Sequence, residues 1–270
     1  MLQKNWWIPV QKHNKENFLK EKIKNKKPVI GTWNTLGSPL VAEVLASAGF
    51  EFLIIDFEHG PFDIGNVHQY VNACEQYDCS PIIRVPSNSD WISLQALDQG
   101  AHGIIVPGVG SKKDALSFIS SAKYYPKGTR GFTPFSKAGG FTNNNINMYS
   151  EKANAFTVTG IIIESMDGIN KLDEILNIED LDIIYFGAYD LSQDLGVPGE
   201  VRNNKVVSVI ESAVNKAVSA GKCAGGFVPQ SKDDVKWLLD LGIKFITYNV
   251  DCDILYRSVN DVVEWFESEL

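Results

Sequence analysis

Charged side chains suited to acid, base or metal chemistry follow four short apolar runs of the sequence. Asp56 and His59 end the run FEFLIIDFEH, and Arg84 ends SPIIR. Glu164 follows VTGIII, and Asp190 follows IIYFGAY. Two carboxylates without His or Cys beside them suit a hard cation such as Mg²⁺ or Mn²⁺ and argue against zinc. An imidazole and a guanidinium near such a cation would supply a base and an anion-binding group.

Each of these residues also has a structural explanation that the sequence leaves open. An acid at a strand end is typical of a helix cap or an exposed surface as well as of a metal site. Arg84 follows two isoleucines in a buried run, where an unpaired guanidinium is costly, so we expect it to pair with a carboxylate or bind an anion. Asp56 lies three residues before His59, and we expect it to orient that imidazole.

These side chains would be positioned by eight short β-branched runs that alternate with helical patterns. The runs begin near Val29, Phe50, Ser80, Gly103, Val158, Asp182, Cys223 and Lys244. Alternation with helices indicates a parallel sheet, and the almost unbroken apolar character is typical of strands covered on both faces. Eight such units in about 250 residues predict an α/β fold, the (β/α)8 TIM barrel, whose strands all end on one rim. An open doubly wound sheet is less favoured because GTWNTLGS lacks a G-x-G-x-x-G pattern.

One long segment, residues 126–156, interrupts this alternation and is rich in Gly, Asn and Ser. A connection of this length inside a compact domain is usually functional or part of an interface. We predict a loop after the fourth strand with a short helix near Ile146–Ala153. Schiff-base catalysis would need a Lys within a barrel strand, and phosphate binding would favour a Gly-rich turn after the eighth strand. The sequence supplies neither.

Charge is unevenly distributed along the 270 residues. The chain carries 25 basic and 33 acidic residues, a net charge of −8, whereas residues 1–28 contain eight Lys and two Glu. We predict a basic, solvated N-terminal extension over residues 1–28, with binding of an acidic partner as the alternative, and a single barrel domain over residues 29–270. The net acidity disfavours nucleic acid as a partner. Without an apolar run of membrane length, a signal-peptide core or a C-x-x-C pair, we expect a cytoplasmic protein that does not bind membranes.

Several segments resemble one known family, in the same order along the chain. They are GTWNTLGSPLVAEVLASAGFEFLIIDFEHGPFD, PIIRVPSNSD, QALDQGAHGIIVPGV, YYPKGTRG, the strand-final Glu of IIIES, and FGAYDLSQDLG. Together they resemble the HpcH/HpaI family of metal-dependent, class II 2-oxo-acid aldolases, from about Val29 to the last helix. The resemblance implies a phosphoenolpyruvate/pyruvate-type TIM barrel that exchanges its last helix between subunits, giving a homo-oligomer (a dimer, trimer or hexamer).

The resemblance also implies a role for each candidate residue. Glu164 and Asp190 match the two metal carboxylates, which would hold Mg²⁺ or Mn²⁺, with Co²⁺ as an alternative. Arg84 matches the arginine that stabilises the enolate oxygen. His59 matches the catalytic base, and Asp56 matches its partner.

Further matching positions concern the substrate and the strength of the base. Asp98 matches an acid thought to raise the basicity of the catalytic histidine, across a subunit boundary. The substrate carboxylate is implied to bind along a stretch of backbone made of Gly187, Ala188, Tyr189 and Asp190, where the family often reads G-P-A-D. Ile162 stands where the family usually has Gln, two residues before Glu164, so both side chains should point into the barrel. We expect a site reshaped for a different or more apolar substrate, with weak binding of pyruvate.

The sequence therefore predicts a metal-dependent aldolase, a carbon–carbon lyase that cleaves or forms a 4-hydroxy-2-oxo acid through a pyruvate enolate. Its small-molecule partners would be a 2-oxo acid and an aldehyde. Three alternatives stay open: a decarboxylase of a 3-oxo diacid such as oxaloacetate, a lyase or thioesterase acting on a CoA ester, and a binding protein without turnover. The terminal helix has an apolar face suited to a second copy or to its own barrel, made of Ile254, Leu255, Val259, Val262, Val263 and Trp265.

Overall fold

Eight strands pair in parallel and in sequence order, and they close into a barrel when the last strand pairs with the first. A computed structural model describes residues 17–144, 146–226, 229 and 231–270. The strands are β1 (Val29–Asn34), β2 (Phe52–Asp56), β3 (Ser80–Arg84), β4 (Gly103–Val106), β5 (Val158–Ile163), β6 (Ile183–Phe186), β7 (Cys223–Gly226) and β8 (Phe245–Val250). Each begins within about two residues of the position expected from its apolar run. The predicted (β/α)8 TIM barrel is confirmed.

Helices precede, separate and follow the strands, and those between strands cover the outer face of the barrel. They are α1 (Phe18–Lys24), α2 (Pro39–Ser47), α3 (Val67–Glu75), α4 (Asp90–Asp98), α5 (Lys112–Ala122), α6 (Tyr149–Phe156), α7 (Met166–Asn170), α8 (Leu172–Leu176), α9 (Ala188–Asp194), α10 (Asn204–Ser219), α11 (Lys232–Asp240) and α12 (Asp251–Ser268). Serine side chains cap three of them: Ser111, Ser165 and Ser231 each accept a backbone N–H at the starts of α5, α7 and α11.

Side chains alternate along each strand between the barrel interior and the helix-covered outer face. The interior is apolar and tightly filled: the rings of Phe52 and Phe245 stack with their centroids 3.9 Å apart. Asp56, Arg84 and Glu164 each stand two residues beyond an isoleucine of this interior cluster. The same alternation therefore directs these three side chains toward the opening at the C-terminal end of the barrel.

Helix α1 covers the other, N-terminal end of the barrel. Leu19 and Ile23 are buried among the interior side chains. Lys20 is also buried, and its Nζ donates to the carbonyl of Thr157 at 2.6 Å and pairs with Asp182 at 3.0 Å. This part of the predicted extension packs against the barrel rather than being solvated, because its apolar side chains close the interior. Residues 1–16 of the extension lie outside the described residues.

The long segment follows α5 rather than β4 directly, and it contacts the outer helices before the chain returns to β5. Lys137 Nζ pairs with Glu75, at the end of α3, at 2.9 Å. A short 3-10 turn at Ile146–Met148 then leads into α6. The short helix predicted near Ile146–Ala153 is therefore present.

Helix α12 leaves the end of β8 and is largely exposed to solvent. Asp251, its first residue, is buried, and its carboxylate accepts hydrogen bonds from Asn34 Nδ2 at 2.7 Å and from the Thr35 N–H at 2.9 Å. Beyond this anchor the large apolar side chains are each more than half exposed at Leu255, Tyr256, Val259, Val262, Trp265 and Phe266. The helix thus does not pack its apolar face on its own barrel. Of the helices in the described ranges, none is long and apolar enough to cross a membrane.

Candidate active site

Arg84 and Asp56 are partners across neighbouring strands at the C-terminal rim. They are the last residues of β3 and β2 and lie in register. The Asp56 carboxylate accepts a hydrogen bond from Arg84 Nε at 2.7 Å and also contacts Nη2. Glu58, just after β2, pairs with Arg84 Nη1 at 2.9 Å. The arginine thus has carboxylate partners, one of the two situations expected for it, and the two acids hold its guanidinium plane in place.

An aromatic and hydroxyl network lies under this guanidinium. Arg84 Cζ is 4.5 Å from the centroid of the Trp33 ring, and the indole N–H donates to the Tyr185 hydroxyl at 3.0 Å. The buried Tyr185 hydroxyl is also 2.7 Å from that of Thr247. Burial by itself lowers the pKa of Arg84, but its two acidic partners raise it above the ordinary value. Arg84 therefore stays charged, and its cation–π contact adds to the support.

His59 lies in the turn that follows β2, with its side chain 70% exposed. Asp56 Oδ1 accepts the backbone N–H groups of Glu58 at 3.1 Å and His59 at 3.2 Å. The imidazole Nε2 is instead 4.0 Å from Glu58 Oε2. The expectation that Asp56 orients the imidazole is therefore wrong. The short Asp56 side chain is occupied by Arg84 and by the backbone of the turn.

Two carboxylates share the same rim. Glu164 follows β5, and its Oε1 accepts the Gly108 N–H at 2.6 Å. Asp190, expected at the end of the sixth strand, lies instead in the first turn of α9. The pKa of Glu164 is raised to about 7, mainly by burial and also by the charges of Asp190 and Glu58, against the opposing Gly108 hydrogen bond. A bound cation would relieve this accumulation of negative charge.

Gly187 makes room for Glu164 where β6 passes into α9. A Cβ at Gly187 would lie 2.8 Å from Glu164 Cβ and 3.2 Å from Ile162 Cγ2. Ile162 is 1% exposed and belongs to the interior cluster, as the spacing from Glu164 predicted. Ala188 is buried beside this junction, whereas Tyr189 is 54% exposed. The proposed carboxylate-binding backbone therefore lies next to Glu164.

Asp98 is not brought to this rim within one chain. It is the last residue of α4, and its carboxylate pairs with Arg130 at 2.6 Å. Its carbonyl accepts the Ala138 N–H at 3.1 Å. Helices of a TIM barrel run back from the active rim, so the end of α4 lies toward the opposite end of the barrel.

A cavity of about 310 Å³ opens on the rim between Glu58 and Glu164. Across the described residues, no three or more His, Cys, Asp and Glu side chains are grouped to hold a metal ion. Of the two acids assigned to a metal from the sequence, Glu164 lines this cavity, and the charge of Asp190 acts on it. This all-oxygen pair fits a hard divalent cation that takes its other ligands from water and substrate.

Three residues of the rim were not assigned a role from the sequence. Glu58 sits between Asp56 and His59 and reaches Arg84 because the chain turns there. Trp33 and Tyr185 lie near the ends of β1 and β6 at interior-facing positions. Counting alternate residues along these two strands would have identified both.

Comparison with known proteins places this arrangement in one family. The family model described as HpcH/HpaI aldolase/citrate lyase matches residues 29–257. A hydroxypyruvate/pyruvate aldolase of Agrobacterium fabrum is 35% identical over 87% of this chain and 88% of its own length. A 4-hydroxy-2-oxo-heptane-1,7-dioate aldolase of Shigella sonnei is 33% identical over 94% of this chain and 96% of its own.

The solved structures agree with the sequences. An HpcH/HpaI aldolase/citrate lyase family protein from Burkholderia cenocepacia superimposes with a TM-score of 0.87 at 27% identity, covering 93% of this chain and 99% of that one. The strand-end residues, the closed barrel and these relatives lead to one conclusion. The chain belongs to the HpcH/HpaI aldolase/citrate lyase family and is an enzyme of the aldolase type, a carbon–carbon lyase.

Proposed function

We propose that this chain catalyses the reversible aldol cleavage of a 4-hydroxy-2-oxo acid into an aldehyde and pyruvate or a closely similar 2-oxo acid. The observation that carries the proposal is the fixed guanidinium of Arg84 on the same rim as Glu164 and Asp190. Cleavage of the carbon–carbon bond leaves an enolate. A fixed cation aimed at the developing negative charge stabilises it more than water does.

Glu164 and Asp190 would hold the divalent cation, Mg²⁺ or Mn²⁺, with Co²⁺ as the alternative. When bound, such an ion acts as a Lewis acid toward the 2-oxo acid. The raised pKa of Glu164 supports this assignment, because a cation beside the carboxylate would favour its charged form. The Gly108 N–H holds one oxygen of that carboxylate in place.

The remaining rim residues have complementary roles in the proposal. His59 is the base that takes the proton of the 4-hydroxyl group, since its imidazole is exposed at the mouth of the site. Asp56 and Glu58 keep Arg84 beside the enolate oxygen. The backbone from Gly187 to Asp190 binds the substrate carboxylate, as the family resemblance implies.

We also propose a homo-oligomer in which α12 packs on a second copy. The support is the exposed apolar face of that helix. Asp98 lies away from His59 in its own chain, so the role implied for it requires the second copy. A cytoplasmic location is proposed as well, and it is consistent with the four free cysteines.

Product analysis with a 4-hydroxy-2-oxo acid tests the proposed reaction. With Mg²⁺ we expect equal amounts of pyruvate and aldehyde, no products after chelation, and recovery when Mg²⁺ is restored. Asp190→Asn should abolish cleavage, whereas Asp240→Asn at the end of α11 should not. Full activity in a metal-free sample would contradict the proposal. Release of CO₂ from oxaloacetate without aldol cleavage would favour a decarboxylase instead.

A further inference from the structure

The cavity beside Glu58 and Glu164 extends over the loops that follow β3 and β4. Its far wall carries the polar side chains of Ser87, Asn88 and Asp114. This wall is held in place by its own hydrogen bonds. Asn88 Nδ2 donates to the Asp114 carbonyl at 3.1 Å.

Asp114 is fixed at the start of α5. Ser111 Oγ donates to Asp114 Oδ2 at 2.6 Å and accepts the Asp114 N–H at 3.2 Å. One carboxylate oxygen of Asp114 is therefore committed to Ser111, while the residue itself lines the cavity. The loop after β3 thus presents a hydroxyl and an amide, and the start of α5 presents a carboxylate, to whatever occupies this space.

The charge of the cavity is one-sided. Glu58, Asp114 and Glu164 line it, and among its described lining residues there is no Lys, Arg or His. The nearby guanidinium of Arg84 is already paired with both Asp56 and Glu58. The three residues of the 227–230 connection that lie outside the described part are Phe, Val and Gln, which carry no charge.

A divalent cation would balance Glu164 and Asp190, and the remaining groups would still be acidic. Asp56, Glu58 and Asp114 then stand against the single positive charge of Arg84. A second carboxylate entering beside the 2-oxo acid would meet this negative field at an open rim, where the repulsion acts at short range and is weakened by added salt.

We propose that the aldehyde substrate of this enzyme is uncharged and hydroxylated, and that Asn88 and Asp114 bind its hydroxyl group. The inference rests on the proposed aldol reaction and names its second substrate. A hydroxyl donates to the Asp114 carboxylate or the Asn88 carbonyl oxygen, whereas an aldehyde with a terminal carboxylate is repelled.

Steady-state kinetics with three aldehydes and pyruvate test this choice in the Mg²⁺-loaded protein. Glycolaldehyde is neutral and hydroxylated, propionaldehyde is neutral without the hydroxyl, and succinic semialdehyde carries a carboxylate. We expect kcat/KM for glycolaldehyde to exceed that for succinic semialdehyde by at least about tenfold. Raising the ionic strength should increase kcat/KM for succinic semialdehyde and leave that for glycolaldehyde unchanged, since only the former is repelled.

Two variants distinguish a preference caused by the residues of the cavity wall from one caused by the intrinsic reactivity of the aldehydes. Asn88→Lys should shift the kcat/KM ratio toward succinic semialdehyde by at least about fivefold, because it places a cation in the wall. Asp114→Asn removes one negative charge from the wall and should reduce the dependence of kcat/KM for succinic semialdehyde on ionic strength. Asn177→Lys makes the same charge change at the end of α8 and should leave the ratio at its native value.

Deuterium exchange at the pyruvate methyl group, run in parallel, separates this inference from the proposed function. Two results would overturn the inference alone, provided that the pyruvate methyl group still exchanges. One is a higher kcat/KM for succinic semialdehyde than for glycolaldehyde. The other is a ratio of these two kcat/KM values that Asn88→Lys does not change. Absence of exchange in the Mg²⁺-loaded protein would overturn the aldol reaction and the inference with it.

Discussion

Arg84 has its positive charge balanced before any substrate binds. Asp56 and Glu58 contact different nitrogens of its guanidinium, and Trp33 supports the face of the group. A planar fork binds the two acids from separate nitrogens in a fixed geometry, whereas the ammonium of Lys is a compact point charge without that geometry. The shape of this side chain, as well as its charge, therefore matters for the site.

Arg84→Lys should slow enolate formation from pyruvate by about 10²–10³-fold, because removing one fixed donor from a developing oxyanion has an effect of that size. Mn²⁺ affinity should change little, since Arg84 is not a proposed ligand. Deuterium exchange by NMR and calorimetric titration measure the two effects. Arg202→Lys, which alters an exposed arginine paired with Asp234, is the control. If Arg84→Lys exchanged the pyruvate methyl protons at the native rate, Arg84 would not be the group that stabilises the enolate.

Ile162 is buried in the interior cluster two residues before Glu164, at a position from which we expect a Gln side chain to reach the oxo acid. Ile162→Gln should tighten pyruvate binding by up to about tenfold, since one added hydrogen bond contributes roughly 0.5–1.5 kcal/mol. The metal requirement should not change. Ile162→Val keeps the position apolar and serves as the control. Equal or weaker pyruvate binding in Ile162→Gln, measured by calorimetry with Mg²⁺ present, would contradict this account of the pocket.

At the scale of elements, the junction between β6 and α9 sets the distance between the two proposed metal ligands. Gly187 lies against Glu164, and Asp190 follows one turn later in α9. Gly187→Ala would place its Cβ 2.8 Å from Glu164 Cβ, which is too close for two carbon atoms. The carboxylate or the start of α9 must then move.

We expect Gly187→Ala to weaken Mn²⁺ binding by about tenfold or more, because metal ligands tolerate only small displacements. The melting temperature should fall only slightly, since the clash is at the rim. Gly110→Ala is the control: its Cβ would have ordinary contact with Asp167 at 3.9 Å. Unchanged Mn²⁺ affinity in Gly187→Ala would show that Glu164 is not a ligand.

Local patterns predicted the strands but not the partners of each side chain. The eight runs were recognisable because parallel strands covered on both faces are apolar throughout. The partners of Asp56 depend on the register of β2 against β3, which brings Arg84 alongside, and no local pattern encodes that register. Asp190 was misplaced because a strand end and a helix start differ by only a few residues.

At the scale of the whole molecule, the charge composition of the N-terminal segment did not predict that part of it packs against the barrel. The lysine-rich sequence before β1 suggests a solvated leader, yet Lys20 is buried with Asp182 as its partner. A buried lysine needs a partner from elsewhere in the fold, and sequence spacing does not reveal one that is 162 residues away. The barrel was predictable from the eight repeated strand and helix patterns, whereas the covering of its N-terminal end by α1 was not.

Helix α12 carries an apolar face that its own barrel leaves largely uncovered. An exposed patch of this kind on a globular chain marks an interaction site. We expect sedimentation to show an oligomer, and Val259→Glu to shift it toward the 29.9 kDa monomer because it buries a charge in the contact. Val218→Glu, on α10, is the matched control. A native chain that sediments as a monomer at micromolar concentration would contradict the assembly.

Metal-dependent exchange of the pyruvate methyl protons is the most direct test of the central claim. The measurement follows loss of the methyl signal by NMR in D₂O, in the Mg²⁺-loaded protein and after chelation. We predict exchange that requires the cation, returns when Mg²⁺ is restored, and disappears in Asp190→Asn. Exchange at the same rate in the chelated protein, or none in the loaded protein, would contradict the proposal that this rim forms a pyruvate enolate.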